Sequence, residues 1–286
     1  MVSFEGRHVF IYCLCSWIYV EAADLDYIES SIKNYFSDTR HHVINNHYKM
    51  ASRDYIYKEF SSFGLVAEYF EFSLPPVSTK SNFTTVIGML KGNHFGTAYD
   101  KMIAISAHYD TVNTTKETFS SVSKDNYKGD FLAMVYRNPT SDLVLANMFK
   151  AKWKEANREH FELESFPLPF EEYNELPKKQ QLNYRYFMNS DHANFWDYEV
   201  PAIYLTDTFI YRGVMTTCYH KPCDDVSMLL TDDNLKFLCK TADVLTMTIN
   251  QLSDPFQGTN EASRCNQQTL WIILIYIIST NRIQFL

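Results

Sequence analysis

The sequence is poor in glycine, with 8 glycines among 286 residues. Few of its turns therefore use the left-handed backbone conformations that glycine adopts most easily. It also lacks an excess of basic residues, because 26 Lys and Arg stand against 34 Asp and Glu, for a formal net charge of −8. Proteins that bind nucleic acid usually carry a basic surface, so this charge argues against a nucleic-acid partner. The 46 % of hydrophobic and 21 % of charged residues are typical of a packed domain and exclude a chain that is disordered throughout.

Long hydrophobic runs are absent as well, since no run reaches the roughly 20 residues that a membrane-spanning helix needs. The first of the two longest runs covers residues 9–20 and follows Arg7 and His8. It ends in Val20-Glu21-Ala22, which has the small residues of a cleavage site. This order is typical of a secretory signal peptide. We therefore predict that residues 1–22 are a signal peptide and that the protein is secreted. A buried first strand or helix is the alternative.

The second apolar run covers residues 270–278 and is rich in β-branched side chains. We predict that residues 256–286 form a C-terminal tail with no role in the core. A stray strand is one alternative. A lipid-anchor signal is another, with residues 258–268 as its polar spacer, but Arg282 near the end argues against membrane attachment by this route.

Cysteine usage and glycosylation sequons also indicate export. Two of the six cysteines lie in the predicted signal peptide, while Cys218 and Cys223 are close enough in sequence to form a disulfide across a short loop in an oxidising compartment. Asn82 and Asn113 each begin an Asn-x-Thr sequon, the acceptor for N-glycosylation. We predict an extracellular location, with the lysosomal or vacuolar lumen as the alternative.

Helical and strand patterns alternate along the middle of the chain. Residues 102–107 are apolar throughout, as in a central strand covered on both faces, whereas residues 231–252 carry one apolar stripe at helical spacing. Such alternation indicates an α/β domain, here residues 24–255, with a reactive site expected at the carboxyl ends of its strands. The other predicted helices are 24–37, 52–63 and 141–156, and the other predicted strands are 65–72, 84–90, 131–135 and 200–205.

Three short segments carry candidate chemistry. His108 directly follows the third strand, and Asp110 lies on the same side of an extended chain, where it can orient the imidazole or bind a metal itself. His220 lies in a short loop flanked by cysteines and is followed by acidic residues. The third segment, Ser190-Asp191-His192, is not a serine-hydrolase triad, because triad residues are distant in sequence and no Gly-x-Ser-x-Gly motif is present.

Taken in order, these segments resemble the secreted zinc aminopeptidases related to aminopeptidase Y, bacterial leucyl aminopeptidase and the glutaminyl cyclases. The matching motifs are Ala107-His108-Tyr109-Asp110-Thr111, the Ser-Asp-His-x-x-Phe-Trp-Asp segment at residues 190–197, and Tyr219-His220 with Asp224 four residues later. The resemblance runs from about residue 24 to residue 252. It implies a mixed, mostly parallel central sheet flanked by helices, as in the zinc exopeptidases.

The resemblance also implies an activity and a set of site residues. His108 and His220 match zinc-binding histidines, and Asp110 matches the catalytic aspartate that orients the first of them. In the family, one or two zinc ions hold an attacking water and polarise the scissile carbonyl, while a glutamate acts as general base. The implied function is zinc-dependent hydrolysis of N-terminal peptide bonds, with zinc as cofactor and peptides as substrates.

Part of the family's active site has no full counterpart in this sequence. In the family, an Asp-Asn-x-Ser-Gly segment, a Glu-Glu pair and a further acidic ligand lie between the His-x-Asp motif and the next strand, where this chain has only residues 111–130. We therefore expect the domain to lack a segment between about residues 113 and 127. Asp125 is the local candidate for a replacement ligand, with a solvated loop as the alternative. Glu171-Glu172 stands in the wrong order and is interpreted as surface charge.

Two histidines fall short of the three protein ligands that catalytic zinc usually has. Three hypotheses follow. The first is a zinc aminopeptidase whose sequence lacks an internal segment through a skipped exon or a faulty gene model. The second is an inactive relative that binds peptides outside the cell. The third, ranked last, is acyl transfer of the glutaminyl-cyclase kind, because residues 206–208 and 219–220 are closer to the peptidases.

Overall fold

The helices and strands are those of a computed structural model, which describes residues 23–41, 44–73, 82–92, 94–98, 100, 102–110, 131–156, 161–207, 218, 226–253 and 271–275. The helices are α1 (Leu25–Ser31), α2 (Asn46–Ser62), α3 (Asp142–Glu155), α4 (Lys178–Tyr184), α5 (His192–Asp197), α6 (Val226–Leu229) and α7 (Asp232–Ser253). The strands are β1 (Val66–Ser73), β2 (Asn82–Met89), β3 (Ile103–Ser106), β4 (Phe131–Arg137), β5 (Glu162–Leu168), β6 (Ala202–Thr206) and β7 (Trp271–Ile275). A π-helical turn at Ile32–Phe36 extends α1, and 3₁₀ turns occupy Tyr173–Glu175 and Arg185–Met188.

Capping side chains explain where the first two helices begin. The carboxylate of Asp24 accepts hydrogen bonds from two N–H groups in the first turn of α1, at 2.9 and 3.2 Å. Asn45 caps α2 in the same way, through the N–H of Tyr48. α2 is followed by Gly64, whose φ of 79° lies in the left-handed region that glycine adopts without steric cost.

The strands form two sheets. β1 and β2 pair antiparallel, with Val66 opposite Met89, and this hairpin packs against α2. The second sheet has five strands in the order β3-β7-β6-β4-β5. Its β3–β7, β7–β6 and β4–β5 pairs are parallel, whereas its β6–β4 pair is antiparallel. The predicted α/β class is thereby confirmed.

Buried side chains alternate between the two faces of β4 and β6. On one face, Met134 and Leu205 belong to a core cluster with Phe149 of α3 and residues of α7. On the other face, Tyr204 belongs to a second cluster with Trp196 of α5. Because successive residues of a strand point to opposite faces, helices on both faces require apolar side chains at almost every position.

The middle of the chain forms every predicted helix and strand, with shifted bounds. α2 begins at Asn46, whereas the sequence pattern predicts a start at residue 52. The pattern misses the beginning of the helix because its first turn is polar and carries no apolar stripe. The sequence pattern does not predict β5, α4 or α5. All three are short, and β5 carries charged side chains among its apolar ones, which obscures its period.

The C-terminal apolar run is part of the fold, contrary to the expectation that it lies outside the core. Trp271–Ile275 forms β7, which pairs in parallel with β3 on one side and with β6 on the other. The physical reason is composition, since a short run of β-branched residues suits a strand with neighbours on both sides. The rest of the 256–286 tail lies outside the described residues, as do the predicted signal peptide and residues 111–130 around the expected gap. Among the helices that the structure describes, none is both long and apolar enough to cross a bilayer.

Candidate functional site

The imidazole of His108 lies between two carboxylates at the carboxyl end of β3. Its Nδ1 is 3.5 Å from Oδ1 of Asp110, and its Nε2 is 3.2 Å from Oδ1 of Asp191. The side chain of His108 is 21 % exposed and that of Asp110 is 44 % exposed, so the cluster is covered on one side and open to solvent on the other. The carboxyl end of a strand is also where α/β folds usually place reactive groups.

Asp191 reaches His108 from a distant part of the sequence. It directly precedes α5, and its Oδ2 accepts a hydrogen bond from the hydroxyl of Ser106 at 2.6 Å. Ser106 is the last residue of β3 and stands 85 positions earlier in the chain. Both oxygens of Asp191 therefore contact residues at the end of β3, which brings the His-x-Asp motif and the Ser-Asp-His segment together.

α2 and the β1–β2 hairpin hold the turn that follows β3. The ammonium of Lys49 is 3.5 Å from Oδ2 of Asp110 and 5.6 Å from the centre of the Tyr109 ring. The hydroxyl of Tyr109 donates to the carbonyl of Thr84, and the Nε of Arg40 donates to the carbonyl of Tyr109, both at 2.6 Å. Because Lys49 and Arg40 are buried, these contacts fix the backbone of the His-x-Asp motif.

The charges in this cluster stabilise one another. Burial alone would lower the pKa of His108, but hydrogen bonds and charge interactions with Asp110 and Asp191 outweigh burial and raise that pKa to about 10. Burial would likewise raise the pKa of Asp110, yet His108 and Lys49 hold it well below its usual range. Burial also opposes ionisation of Asp191, but its hydrogen bond with His108 lowers its pKa. At neutral pH and without a metal, the cluster is an imidazolium cation between two carboxylates.

The donor atoms of this cluster fit a zinc ion in part. Imidazole nitrogen and carboxylate oxygen are both common zinc ligands, and two ligand atoms on one tetrahedral zinc lie about 3.3 Å apart. The 3.2 Å between Nε2 of His108 and Oδ1 of Asp191 matches that separation. Asp110 at the opposite nitrogen supplies the carboxylate that commonly supports a zinc-bound histidine. Within the described residues, no three His, Cys, Asp or Glu side chains form a group that holds a metal, so a full site needs a further ligand from the rest of the chain.

Four predicted site residues lie outside the described part of the chain, and their roles stay predictions. They are His220, Cys223, Asn113 and Asp125. Two others are described. Cys218 is buried and disulfide-bonded to a partner outside the described residues. Asn82, the first predicted glycosylation site, is the first residue of β2.

Sequence reasoning missed three members of the cluster, namely Asp191, Ser106 and Lys49. Asp191 had a signal, since it is the acid of the Ser-Asp-His segment in the motif set. Lys49 had none, because it lies on a mostly polar helix and reaches Asp110 only through the packing of α2 against the β1–β2 hairpin. Ser106 looked like one small residue in an apolar strand.

His192, the last residue of the Ser-Asp-His segment, makes its contacts away from the His108 cluster. It is fully buried, its Nε2 is 2.6 Å from the carbonyl oxygen of Phe187, and its ring stacks on Tyr204 with centroids 4.3 Å apart. Since a carbonyl only accepts, Nε2 donates, and Nδ1 has no partner among the described residues. Ser190, Asp191 and His192 therefore do not form a nucleophilic triad.

We expect the buried His192 to make the protein less stable at acidic pH. Burial lowers its pKa to about 4, against an ordinary value of 6.5 in the unfolded chain. As the pH falls from 6.5 towards 4, the unfolded chain gains a proton that the folded chain does not take up. The free energy of unfolding therefore falls by about 1.4 kcal/mol per pH unit, or roughly 3 kcal/mol in all. Urea unfolding at pH 7 and at pH 5 measures this slope.

A variant without the His192 imidazole isolates the effect. His192→Gln removes the titration and should flatten the slope of stability against pH. His47→Gln, at an exposed position on α2, is the matched control for the exchange of histidine for glutamine, and we expect His192→Gln to flatten the slope more than His47→Gln does. Both variants keep His108, so the titration of His108 cancels in the comparison. An equal slope in the wild type and in His192→Gln would contradict the prediction.

Comparison of the chain with protein-family models, with curated proteins and with solved structures finds no match. The resemblance to the zinc aminopeptidases therefore rests on the order of the sequence motifs alone.

Proposed function

We propose that the protein is a secreted zinc-dependent exopeptidase that hydrolyses N-terminal peptide bonds, like the aminopeptidases that it resembles. The observation that carries this proposal is the meeting of two distant motifs. His108 and Asp191 lie 3.2 Å apart, and Asp110 lies at the other imidazole nitrogen. Parallel pairing in three of the four strand pairs of the larger sheet is compatible with the mostly parallel central sheet of that family.

Each residue of the cluster has a role in this proposal. His108 through Nε2, Asp191 and the predicted ligand His220 would hold the metal. Asp110 accepts the Nδ1–H of His108, which fixes the tautomer and directs Nε2 towards the site. Lys49, 3.5 Å from Asp110, keeps that carboxylate ionised. When bound, a zinc ion supplies Lewis-acid polarisation of the scissile carbonyl and a water of lowered pKa.

The zinc content of the purified secreted protein tests this function. We expect about one zinc ion per chain or more. We also expect His108→Ala to weaken zinc binding by at least about tenfold, because even loss of a residue that only supports a ligand costs that much. His47→Ala, which replaces an exposed histidine of α2, is the control and should retain the metal. Hydrolysis of an aminoacyl p-nitroanilide should be sensitive to a chelator in the wild type. A zinc-free wild type, or a zinc content that His108→Ala leaves unchanged, would sink the proposal.

Peptide binding without catalysis is the second candidate function, and the incomplete donor set favours it. Catalytic zinc usually has three protein ligands, and the described residues supply two at most. Loss of a general base alone costs about 10²–10⁴-fold in rate. This candidate predicts a protein that binds zinc weakly or not at all, leaves aminoacyl amides intact and binds peptides. Fluorescence polarisation of peptides labelled at their C-terminus separates it from the first candidate, because an active exopeptidase would shorten them.

A further inference from the structure

The backbone nitrogen of Ala23 lies 2.7 Å from Oδ1 of Asp243, although 220 positions separate the two residues in sequence. Ala23 is the first residue that the structure describes, and it stands two positions before α1. Asp243 lies on α7, where it is only 7 % exposed, and α1 packs against α7. This contact therefore ties the start of the first helix to the long helix near the end of the chain.

The same nitrogen belongs to the peptide bond that removal of the predicted signal peptide would break. The basic residues, the apolar run and the sequence Val20-Glu21-Ala22 predict cleavage after Ala22. Before cleavage, the nitrogen of Ala23 is an uncharged amide with one N–H. After cleavage it is an α-amino group with a pKa of about 8, so at neutral pH it is a cation with three N–H donors.

An α-ammonium group suits the position beside Asp243 better than an amide does. An almost fully buried carboxylate is stabilised most by a hydrogen-bonded cation. Conversely, a positive charge next to a helix N-terminus is unfavourable, because the helix dipole is positive at that end. Asp243 offsets this repulsion, together with the capping residue Asp24 and with Asp26 in the first turn of α1.

We propose that cleavage between Ala22 and Ala23 creates an ion pair between the new α-ammonium group and Asp243, so that removal of the signal completes the packing of α1 against α7. Signal peptidase is the catalyst and water is the co-reactant. The C–N bond breaks, the oxygen of the water joins the carbonyl carbon of Ala22, and both protons of the water end on the nitrogen of Ala23. The products are a carboxylate on the released peptide and the ammonium group of the mature chain.

The mass and the N-terminal sequence of the full chain, secreted by eukaryotic cells with its own signal, give the first test. We expect Ala23 as the N-terminal residue. Any other N-terminus would overturn the proposal, because the charge would then lie away from Asp243.

A double-mutant cycle gives the second test. One secreted chain begins at Ala23, and a second begins with one extra Gly before Ala23, which keeps the amide N–H but moves the charge. Each is made with Asp243 and with Asp243→Asn, whose side-chain oxygen still accepts the N–H. We expect the extra Gly to lower the melting temperature by about 2–4 °C beside Asp243 and by less than about 1 °C beside the asparagine. If the extra Gly shifts the melting temperature equally with Asp243 and with Asp243→Asn, or does not shift it with Asp243, the proposal is overturned. The comparison of the two N-termini with Asp243 in place needs no substitution at residue 243.

Discussion

An Asp142→Ala variant is expected to lose about 3–5 kcal/mol of unfolding free energy, because it removes the hydrogen-bonded carboxylate of a buried guanidinium and leaves it only the partly exposed carboxylate of Glu172, 3.8 Å away. Asp142 is fully buried at the start of α3. Its Oδ2 accepts from Nε of Arg137 at 2.8 Å, and its Oδ1 accepts from the N–H of Ala202 at 3.0 Å. One carboxylate thus joins the end of β4, the start of α3 and the start of β6.

The loss is expected to be large because little water reaches this position. Arg137 is 3 % exposed, and its Nη1 also donates to the carbonyls of Glu171 and Trp196, at 3.1 and 3.3 Å. In the variant the guanidinium keeps those carbonyl bonds but loses its only carboxylate at hydrogen-bond distance among the described residues. The N–H of Ala202 loses its acceptor at the same time. A buried charge without a hydrogen-bonded carboxylate and an unpaired buried N–H each cost more than the original bonds contribute.

Urea unfolding at neutral pH measures the effect, with the midpoint and the slope fitted separately. Lys152→Ala is the control, because Lys152 and Glu155 form an ion pair 2.7 Å apart with Glu155 57 % exposed. Exposed pairs of this kind contribute less than about 1 kcal/mol. If Asp142→Ala is no more destabilised than Lys152→Ala, the Arg137–Asp142 contact does not hold the three elements together.

The long elements of the fold were predictable, because their patterns repeat over many residues. α7 presents one apolar stripe over six turns, and β4 is apolar at almost every position. Asp142 and Arg137 give no such signal. Each is an ordinary residue for its position, an acid in the first turn of a helix and an arginine at a strand end. Their contact depends on the turn between β4 and α3, which the sequence pattern does not specify.

In the candidate site, likewise, the local motif was predictable and the contacts between distant segments were not. His108 and Asp110 form a motif two residues apart, so extended backbone alone puts their side chains on one side. The partner at Nε2, Asp191, depends on how α5 packs beside β3. Lys49 depends on the packing of α2 against the hairpin. Residues that meet only through packing have no characteristic spacing in the sequence. The order of the motifs therefore identified the segment that contains Asp191 but gave no indication of Lys49.

An Ile273→Pro variant is expected to disrupt the larger sheet, at a cost on the order of 3 kcal/mol or more, as for proline inside a helix. Ile273 stands in β7, opposite Ile105 of β3 on one side and Ile203 of β6 on the other. Proline has no N–H to donate to a ladder and is confined to edges and bulges of sheets. A strand with neighbours on both sides offers neither position.

Ile273→Val is the matched control, because valine keeps both the N–H and the β-branched shape. It should change the unfolding free energy by no more than about 1 kcal/mol. Urea unfolding compares the two variants, and hydrogen exchange of the β3 amides shows whether that strand has separated from the sheet. Equal stabilities would mean that residues 271–275 do not belong to the sheet and that the tail lies outside the core, as predicted from the sequence.

The same variant links the tail to the candidate site. In the described residues, β7 lies between β3, which ends beside His108, and β6, which packs against α5, the helix that Asp191 directly precedes. Without β7, the 3.2 Å contact between Nε2 of His108 and Oδ1 of Asp191 has no continuous sheet to position it. Ile273→Pro should therefore weaken zinc binding as His108→Ala does, although residue 273 is not a proposed ligand. Unchanged zinc affinity in a destabilised Ile273→Pro protein would show that β7 supports the fold but does not position the site.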